Sequence, residues 1–341
     1  MKPTSRLLAL LALAVLPALN AGCATAGHDL YLFGAVNIQG RVAGSRDASL
    51  NGVYRRQADG SFQHIGINYP AMLTGSFDPR DPRVFYVATI NGVLFTRDGG
   101  QTWRIGTSWD MTEPKDVRVD PNAPDTIYAA LPDGLGVSTD RGLTWTRREN
   151  GLPARGKYTQ VVTVDRTRVG RVLAGCETGI YLTEDAAQSW RAVHPTKETV
   201  NDLQQSPHDP KFWLAATQSA GVLASRDGGL TWAPVAGLAT EKAHYNIAFD
   251  PTNPQRIAIG GWTYGLLTSE DGGATWTARN DGLPAKHRVW RTAIDPDNGH
   301  LYAAVVYDSL YVSADFGRTW QSAGLPNSRI SGFAFVPKAQ P

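Results

Sequence analysis

Six copies of one short motif, at nearly constant spacing, constrain this chain more than any other feature. They read TRDGGQTW (96–103), STDRGLTW (138–145), TEDAAQSW (183–190), SRDGGLTW (225–232), SEDGGATW (269–276) and SADFGRTW (313–320). Their aspartates, Asp98, Asp140, Asp185, Asp227, Asp271 and Asp315, fall 42, 45, 42, 44 and 44 residues apart. A period in the forties with strand-like text on either side predicts an all-β fold, a β-propeller with one four-stranded blade per repeat.

The text between the motifs repeats as well. TQVVTVD (159–165), RVLAGC (171–176), GIYLTE (179–184) and SWRAV (189–193) read as four short strands divided by turn residues. Asp-Pro or Ser-Pro markers end most first strands, as in FDPRDP (77–82), VDPNAP (119–124) and FDPTNP (249–254). Proline stops a strand there because it lacks a backbone donor and restricts the residue before it. First strands begin near Met72, Asp116, Gln160, Asn201, Tyr245 and Arg291, and a seventh, 330–337, ends the chain without a successor. The N-terminus has the complementary deficit, with strands at 29–36, 52–57 and 61–66 and no first strand before them. Joining 330–337 to the strands of 29–66 predicts seven blades in a closed ring, which removes exposed sheet edges.

The first 26 residues read as a targeting segment, and residues 27–341 as a single propeller domain. Lys2 and Arg6 precede an apolar run from Leu7 to Leu19, shorter than the ~20 residues that span a bilayer. Two processing readings stay open. Ala24-Thr25-Ala26 fits cleavage to a soluble form, whereas Ala21-Gly22-Cys23 resembles a lipobox with Cys23 as the lipidated residue. Either predicts export to a bacterial periplasm or cell envelope, with any membrane association through a lipid anchor alone. Lys2 and Arg6 account for the whole excess of 33 basic over 31 acidic residues. A balanced mature chain has no global field for nucleic acid. Cys176 is expected to be a small buried residue.

The motifs resemble the Asp-box, or BNR repeat, of form Ser/Thr-x-Asp-x-Gly-x-Thr-Trp. Families carrying it include sialidases, xyloglucan-active hydrolases, sortilin-type receptors and photosystem II assembly and stability factors. A single propeller with a box in nearly every blade looks most like the last group. That resemblance implies a role in binding a protein client during assembly.

The boxes themselves read as scaffold. Each aspartate opens a tight turn where its carboxylate accepts backbone N–H groups, and the tryptophans are expected to pack between blades. TEDAAQSW, with Ala186 and Ala187 in place of both glycine choices, should be the most strained copy. Partner recognition is expected instead on the opposite face, where inter-blade loops are basic and aromatic. His244, Tyr245, His287, Arg288, Trp290, Arg291 and Arg329 are the candidates, suited to an anionic or carboxylate-bearing envelope protein or assembly client. For Trp290 a core-packing role is the competing reading. The first blade adds a long loop, 37–52, with Arg41, Arg46 and Asp47.

The alternative is a glycan-binding protein or a glycoside hydrolase of sialidase or xyloglucanase type. A hydrolase needs two carboxyl groups roughly 5–9.5 Å apart. Asp133, Glu177 and Asp308 are the weak catalytic candidates, and no motif links any pair of them. No metal-spaced His/Cys cluster, phosphate-cradling glycine loop or nucleophile elbow is legible, so no metal or other cofactor is expected.

Overall fold

A computed structural model of the chain describes residues 27–38, 50–238 and 240–338, and the regular structure it holds there is entirely β. Five four-stranded antiparallel sheets follow one another, covering 75–105, 116–147, 159–195, 200–234 and 244–278. Each is an up-and-down meander whose second and third strands are buried almost throughout. Runs such as Ile127–Leu131 and Val172–Cys176 are therefore apolar on both sides, because a neighbouring sheet covers each.

A sixth sheet has seven strands, in the order Val289–Ile294, Leu301–Val305, Asp308–Ser313, Gln321–Pro337, His28–Val36, Leu50–Arg56 and Phe62–Ile65. The pairing of the C-terminal segment with the N-terminal strand is present, from Ala35 opposite Arg329 to His28 opposite Pro337. The segment is longer than expected. Its first part pairs with Asp308–Ser313 before it turns through Gly324, Leu325 and Asn327, all at positive φ, and continues to pair with His28–Val36. One strand thus serves both halves of the sheet.

Apolar clusters lie between consecutive sheets rather than within them. Tyr128, Leu135 and Val137 of one sheet pack with Val162, Val172 and Tyr181 of the next, and Leu173, Ile180 and Leu182 pack on with Leu203, Trp213 and Leu223. The first strands are further joined by hydrogen bonds across the gaps. Asp116 accepts from Thr74 Oγ1 at 2.9 Å and Val162 N at 3.3 Å. Thr163 Oγ1 donates to Leu203 O at 2.7 Å, and Asp202 accepts from Ile247 N at 2.8 Å. Asn246 Oδ1 takes Thr292 N, and Arg291 Nε donates to Ser331 O at 3.0 Å. These bonds run from strand to strand and hold the first strands around a central channel.

The box turns carry the bonds expected of scaffold. Asp98 accepts the backbone N–H of Gln101 and Thr102, the Thr96 hydroxyl and the Thr102 hydroxyl, at 2.6–3.0 Å. Asp140, Asp185, Asp227, Asp271 and Asp315 each accept from the box Ser or Thr hydroxyls at both ends of their turns. The tryptophans sit against the segment leaving the preceding sheet. A Cβ on Gly66 would meet Trp103 Nε1 at 2.3 Å, and one on Gly106 would meet Trp145 Nε1 at 2.9 Å, so only glycine fits under those rings. The alanine copy carries the most strain, with two non-glycine residues, Ala186 and Ala187, at positive φ where two other copies hold one each. Arg141 and Phe316 take positive φ at the same turn position as Ala186, and what is peculiar to that copy is Ala187 at the second position, where the other five have glycine.

Candidate functional site

Two sets of loops occupy opposite ends of the strands. On the box side, Arg141 approaches Asp78, the guanidinium of Arg171 reaches Gly228 O, and Arg318 pairs with Glu270 at 2.6 Å. On the other side the inter-sheet loops and second-to-third-strand loops join one another. Glu113 N donates to Ile90 O at 3.0 Å, Arg147 to Asp110 O at 2.8 Å, and Asn201 Nδ2 to His244 O at 2.9 Å. This second side is the loop face.

Its densest feature is an aromatic platform. Ring centroids of Tyr245 and Trp290 lie 4.8 Å apart, with Trp262 at 6.2 Å from Tyr245 and 6.0 Å from Trp290. The Arg288 guanidinium lies 5.2 Å over Trp262, and that of Arg291 lies 4.7 Å over Trp290. All three rings are half-buried, leaving one side of the group accessible. The backbone explains the clustering. The ladder register slips between His244 and Asn246 and again between Val289 and Arg291, so Tyr245 and Trp290 are the extra residues of β-bulges. A bulge re-aims its extra side chain out of the strand's alternation. Gln160 and Asn201 hold the same bulged position in two other first strands.

The structure separates the expected partner-binding residues. Tyr245, Arg288 and Trp290 come together, joined by Trp262. His287 is half-buried nearby, its Nδ1 3.2 Å from Pro284 O. His244 is fully buried and 2.6 Å from the Tyr264 hydroxyl, so it supports the platform from inside. Burial holds the Tyr264 hydroxyl above the usual tyrosine range. Arg291 turns inward to the channel, and Arg329 is exposed at the start of the segment that pairs with Ala35. Arg41, Arg46, Asp47 and Cys23 lie outside the described residues.

The three candidate carboxylates stand on three different sheets, each engaged close by. Asp133 pairs with Arg147 at 2.8 Å, Glu177 accepts from Tyr158 N at 3.2 Å, and Asp308 accepts from the Tyr311 hydroxyl at 2.7 Å. That last bond, after burial, helps push Tyr311 up to about 12. Cys176 is fully buried beside Thr159, and burial raises its thiol to about 11, which makes it unreactive. Among the described residues no group of three His, Cys, Asp or Glu side chains could hold a metal ion.

One residue escaped sequence reasoning. Trp109 is 89% exposed. It sits in a turn closed by Met111 N to Ser108 O at 3.0 Å, anchored below by buried Met111 and bolted to Arg147 through Asp110 O. Exposed Ile67 and Ile90 belong to adjacent loops of this face. The only sequence signal was a tryptophan outside the six boxes, flanked by turn-forming Ser108 and Asp110.

Comparison with known proteins places this geometry. The family model of the photosynthesis system II assembly factor YCF48, a BNR-repeat model, matches residues 61–212. Over 190 residues the chain is 28% identical to the oligoxyloglucan-reducing end-specific xyloglucanase of Emericella nidulans, spanning 50% of this chain and 23% of that protein. Among solved structures it resembles the GH74 enzyme of Niastella koreensis, with a TM-score of 0.68 at 18% identity, covering 86% of this chain and 55% of that one. It also resembles YCF48 from Cyanidioschyzon merolae, with a TM-score of 0.60 at 20% identity over 76% of this chain and 87% of that one. YCF48 bound to a D1 peptide gives a TM-score of 0.57 at 21% identity, over 76% and 84% of the two chains. The chain thus spans about a quarter of the curated relative and little more than half of the Niastella enzyme, but most of the YCF48 structures. With six Asp-boxes, stacked four-stranded sheets and these likenesses, the chain resembles the BNR-repeat propeller proteins, the photosystem II assembly factor among them.

Proposed function

We propose that this chain is a closed seven-bladed propeller that acts as a non-enzymatic binding module, capturing a protein client through its loop face. The count rests on five four-stranded sheets and a seven-stranded one, whose central strand Gln321–Pro337 serves two blades. The observation that carries the binding role is the platform of Tyr245, Trp262 and Trp290 capped by Arg288. Large half-buried aromatics beside an arginine are the residue types that dominate protein interfaces. A client with acidic or carboxylate groups next to aromatic or aliphatic side chains suits this surface, and exposed Trp109 supplies a second anchor across the face. The YCF48 relative bound to a D1 peptide supports a polypeptide ligand.

The decisive experiment is capture from envelope extract by the mature chain, beside a variant carrying Trp262→Ala, Arg288→Ala and Arg329→Ala. Retention of one protein by the wild type and its loss from a folded variant is the expected result. Equal capture by both would remove the loop face from the function.

A second reading has specific support. Aromatic platforms also stack sugar rings, and the xyloglucanase likeness covers half the chain. Retention of xyloglucan oligosaccharide by the wild type in place of protein would favour it, and a hydrolysis assay of Asp133→Asn, Glu177→Gln and Asp308→Asn variants would then test for catalysis. We further propose export to the bacterial envelope with Cys23 as the acylated residue. Intact-mass measurement of membrane-extracted protein checks this, and an unmodified chain starting at Gly27 would overturn the acylation.

A further inference from the structure

The channel between the first strands holds a cavity of about 350 Å³ whose charged groups are unequally satisfied. Asp116 and Asp202 line it, yet their oxygens are fully engaged. Asp116 accepts from Thr74 Oγ1, Val117 N and Val162 N at 2.9–3.3 Å and forms an ion pair with Arg118 Nε at 3.2 Å. Asp202 accepts from Leu203 N, Gln204 Nε2, Asn246 Nδ2 and Ile247 N at 2.8–3.2 Å. A carboxylate with four donors has little left for a ligand.

The cationic groups differ. Arg291 spends Nε on Ser331 O and Nη1 on Tyr245 O and Trp290 O, all neutral carbonyls. Among the described residues its Nη2 has no partner and no carboxylate lies within ion-pair distance of it. Arg118 meets Asp116 through Nε, and among the described residues its Nη atoms and the Gln160 amide, carried on its own bulge, make no hydrogen bond. Burial presses the Arg291 guanidinium below its ordinary range; Asp202 and Asp116 counter this, while Arg118 and Arg329 add repulsion. A half-buried guanidinium whose partners are carbonyls and the Trp290 ring keeps an Nη2 open toward the cavity, where an anion can take it.

We propose that the channel binds a single monoanionic carboxylate, held by Arg291 Nη2 with Arg118 and the Gln160 amide as further donors. A dianion such as phosphate is disfavoured, because the negative charges of Asp116 and Asp202 face the same space. The carboxylate is either a free small-molecule acid or the chain terminus of a polypeptide entering from the loop face. The site adjoins the aromatic platform through Arg291, whose guanidinium lies over Trp290, but it uses none of the three residues changed in the capture variant, so its test is separate from that of the loop face.

The test uses the mature chain labelled at arginine with ¹⁵N, following the Arg291 Nε–H resonance, assigned by its loss in Arg291→Gln. Sodium formate is titrated against sodium chloride at constant ionic strength. A saturable shift with formate, absent with chloride, is expected, with affinity roughly tenfold weaker in Arg118→Gln, as for loss of one charged hydrogen bond. Gln160→Ala, a half-exposed position, gives a second variant expected to fold normally and to weaken formate binding. No saturable shift in the wild type overturns the proposal, as does unchanged affinity in both Arg118→Gln and Gln160→Ala. The source is resolved by competition with N-acetyl-Gly-Gly-Ala. Displacement of formate by the free-acid peptide and not by its C-terminal amide identifies a polypeptide terminus, and binding of formate without peptide competition identifies a free acid.

Discussion

The box turns and the loop face use the same kinds of residues to opposite ends. At the boxes every aspartate is spent. Asp98 takes two backbone N–H groups and two hydroxyls, and the Thr102 hydroxyl, foremost among these, pulls its carboxyl down to about 2. On the loop face and in the channel, polar and aromatic groups are displayed with capacity left over: the open Nη2 of Arg291, the platform under Arg288, and Trp109 on its rigid turn. A repeated, self-satisfied turn stabilises each sheet and offers a ligand nothing. Function is therefore sought where the repeat is broken, at the bulged residues and the irregular loops.

The largest expected effect tests the scaffold side. Trp190 is buried and its Nε1 reaches Arg148 O at 2.9 Å in the preceding sheet. Trp190→Ala should cost about 3–5 kcal/mol in urea unfolding, as for other large core truncations. Trp232 is only partly buried and bonds within its own box, so Trp232→Ala should cost less. Equal costs would mean that burial between sheets is not what distinguishes the two. Next comes the inner ring, where Asp202→Ala strands the buried amides of Ile247 and Asn246. About 1–3 kcal/mol is expected, with the melting temperature as the readout.

The box carboxylates also predict an acid response. Hydroxyl bonds, from Thr102, Thr275 and Thr319 respectively, lead in lowering Asp98, Asp271 and Asp315 from 3.8 to about 2. A carboxyl whose folded value is depressed contributes stability that is complete above its unfolded value and is lost as pH falls through the folded one. Stability should therefore decline as pH drops from about 3.8 towards about 2, and less steeply in Asp98→Asn. Melts that are flat across that window would break the contrast between spent and unspent carboxylates.

Smaller effects sharpen it. Ala186 sits at φ 57°, so Ala186→Gly should stabilise by about 0.5–1 kcal/mol through relief of left-handed strain. Ala187 differs because its methyl is buried in the core between two sheets, and glycine there would lose packing. The smallest change in stability belongs to Trp109→Ser, within about 0.5 kcal/mol for an exposed site. Any loss of client capture by that variant then reports recognition rather than folding.

Much of the fold was legible because it repeats. Six boxes, the Asp-Pro stops and the unpaired 330–337 segment are local signals, and each repeat confirms the reading of the others. The candidate site was legible in part: Tyr245, Arg288 and Trp290 stood out as basic and aromatic text entering first strands. Their assembly was not legible, since it depends on two register slips that alternation of apolar residues does not encode, and on Trp262 arriving from a different loop. His244 and Arg291 read like surface neighbours, yet one packs inside against Tyr264 and the other turns into the channel. The strands, the turns and their order are written in the chain, because they follow from side-chain period, proline and the box hydrogen bonds within a few residues. Which side chains share a surface and which charges go unpaired is settled by the packing of the sheets, because both depend on where residues from different sheets come to lie around the channel.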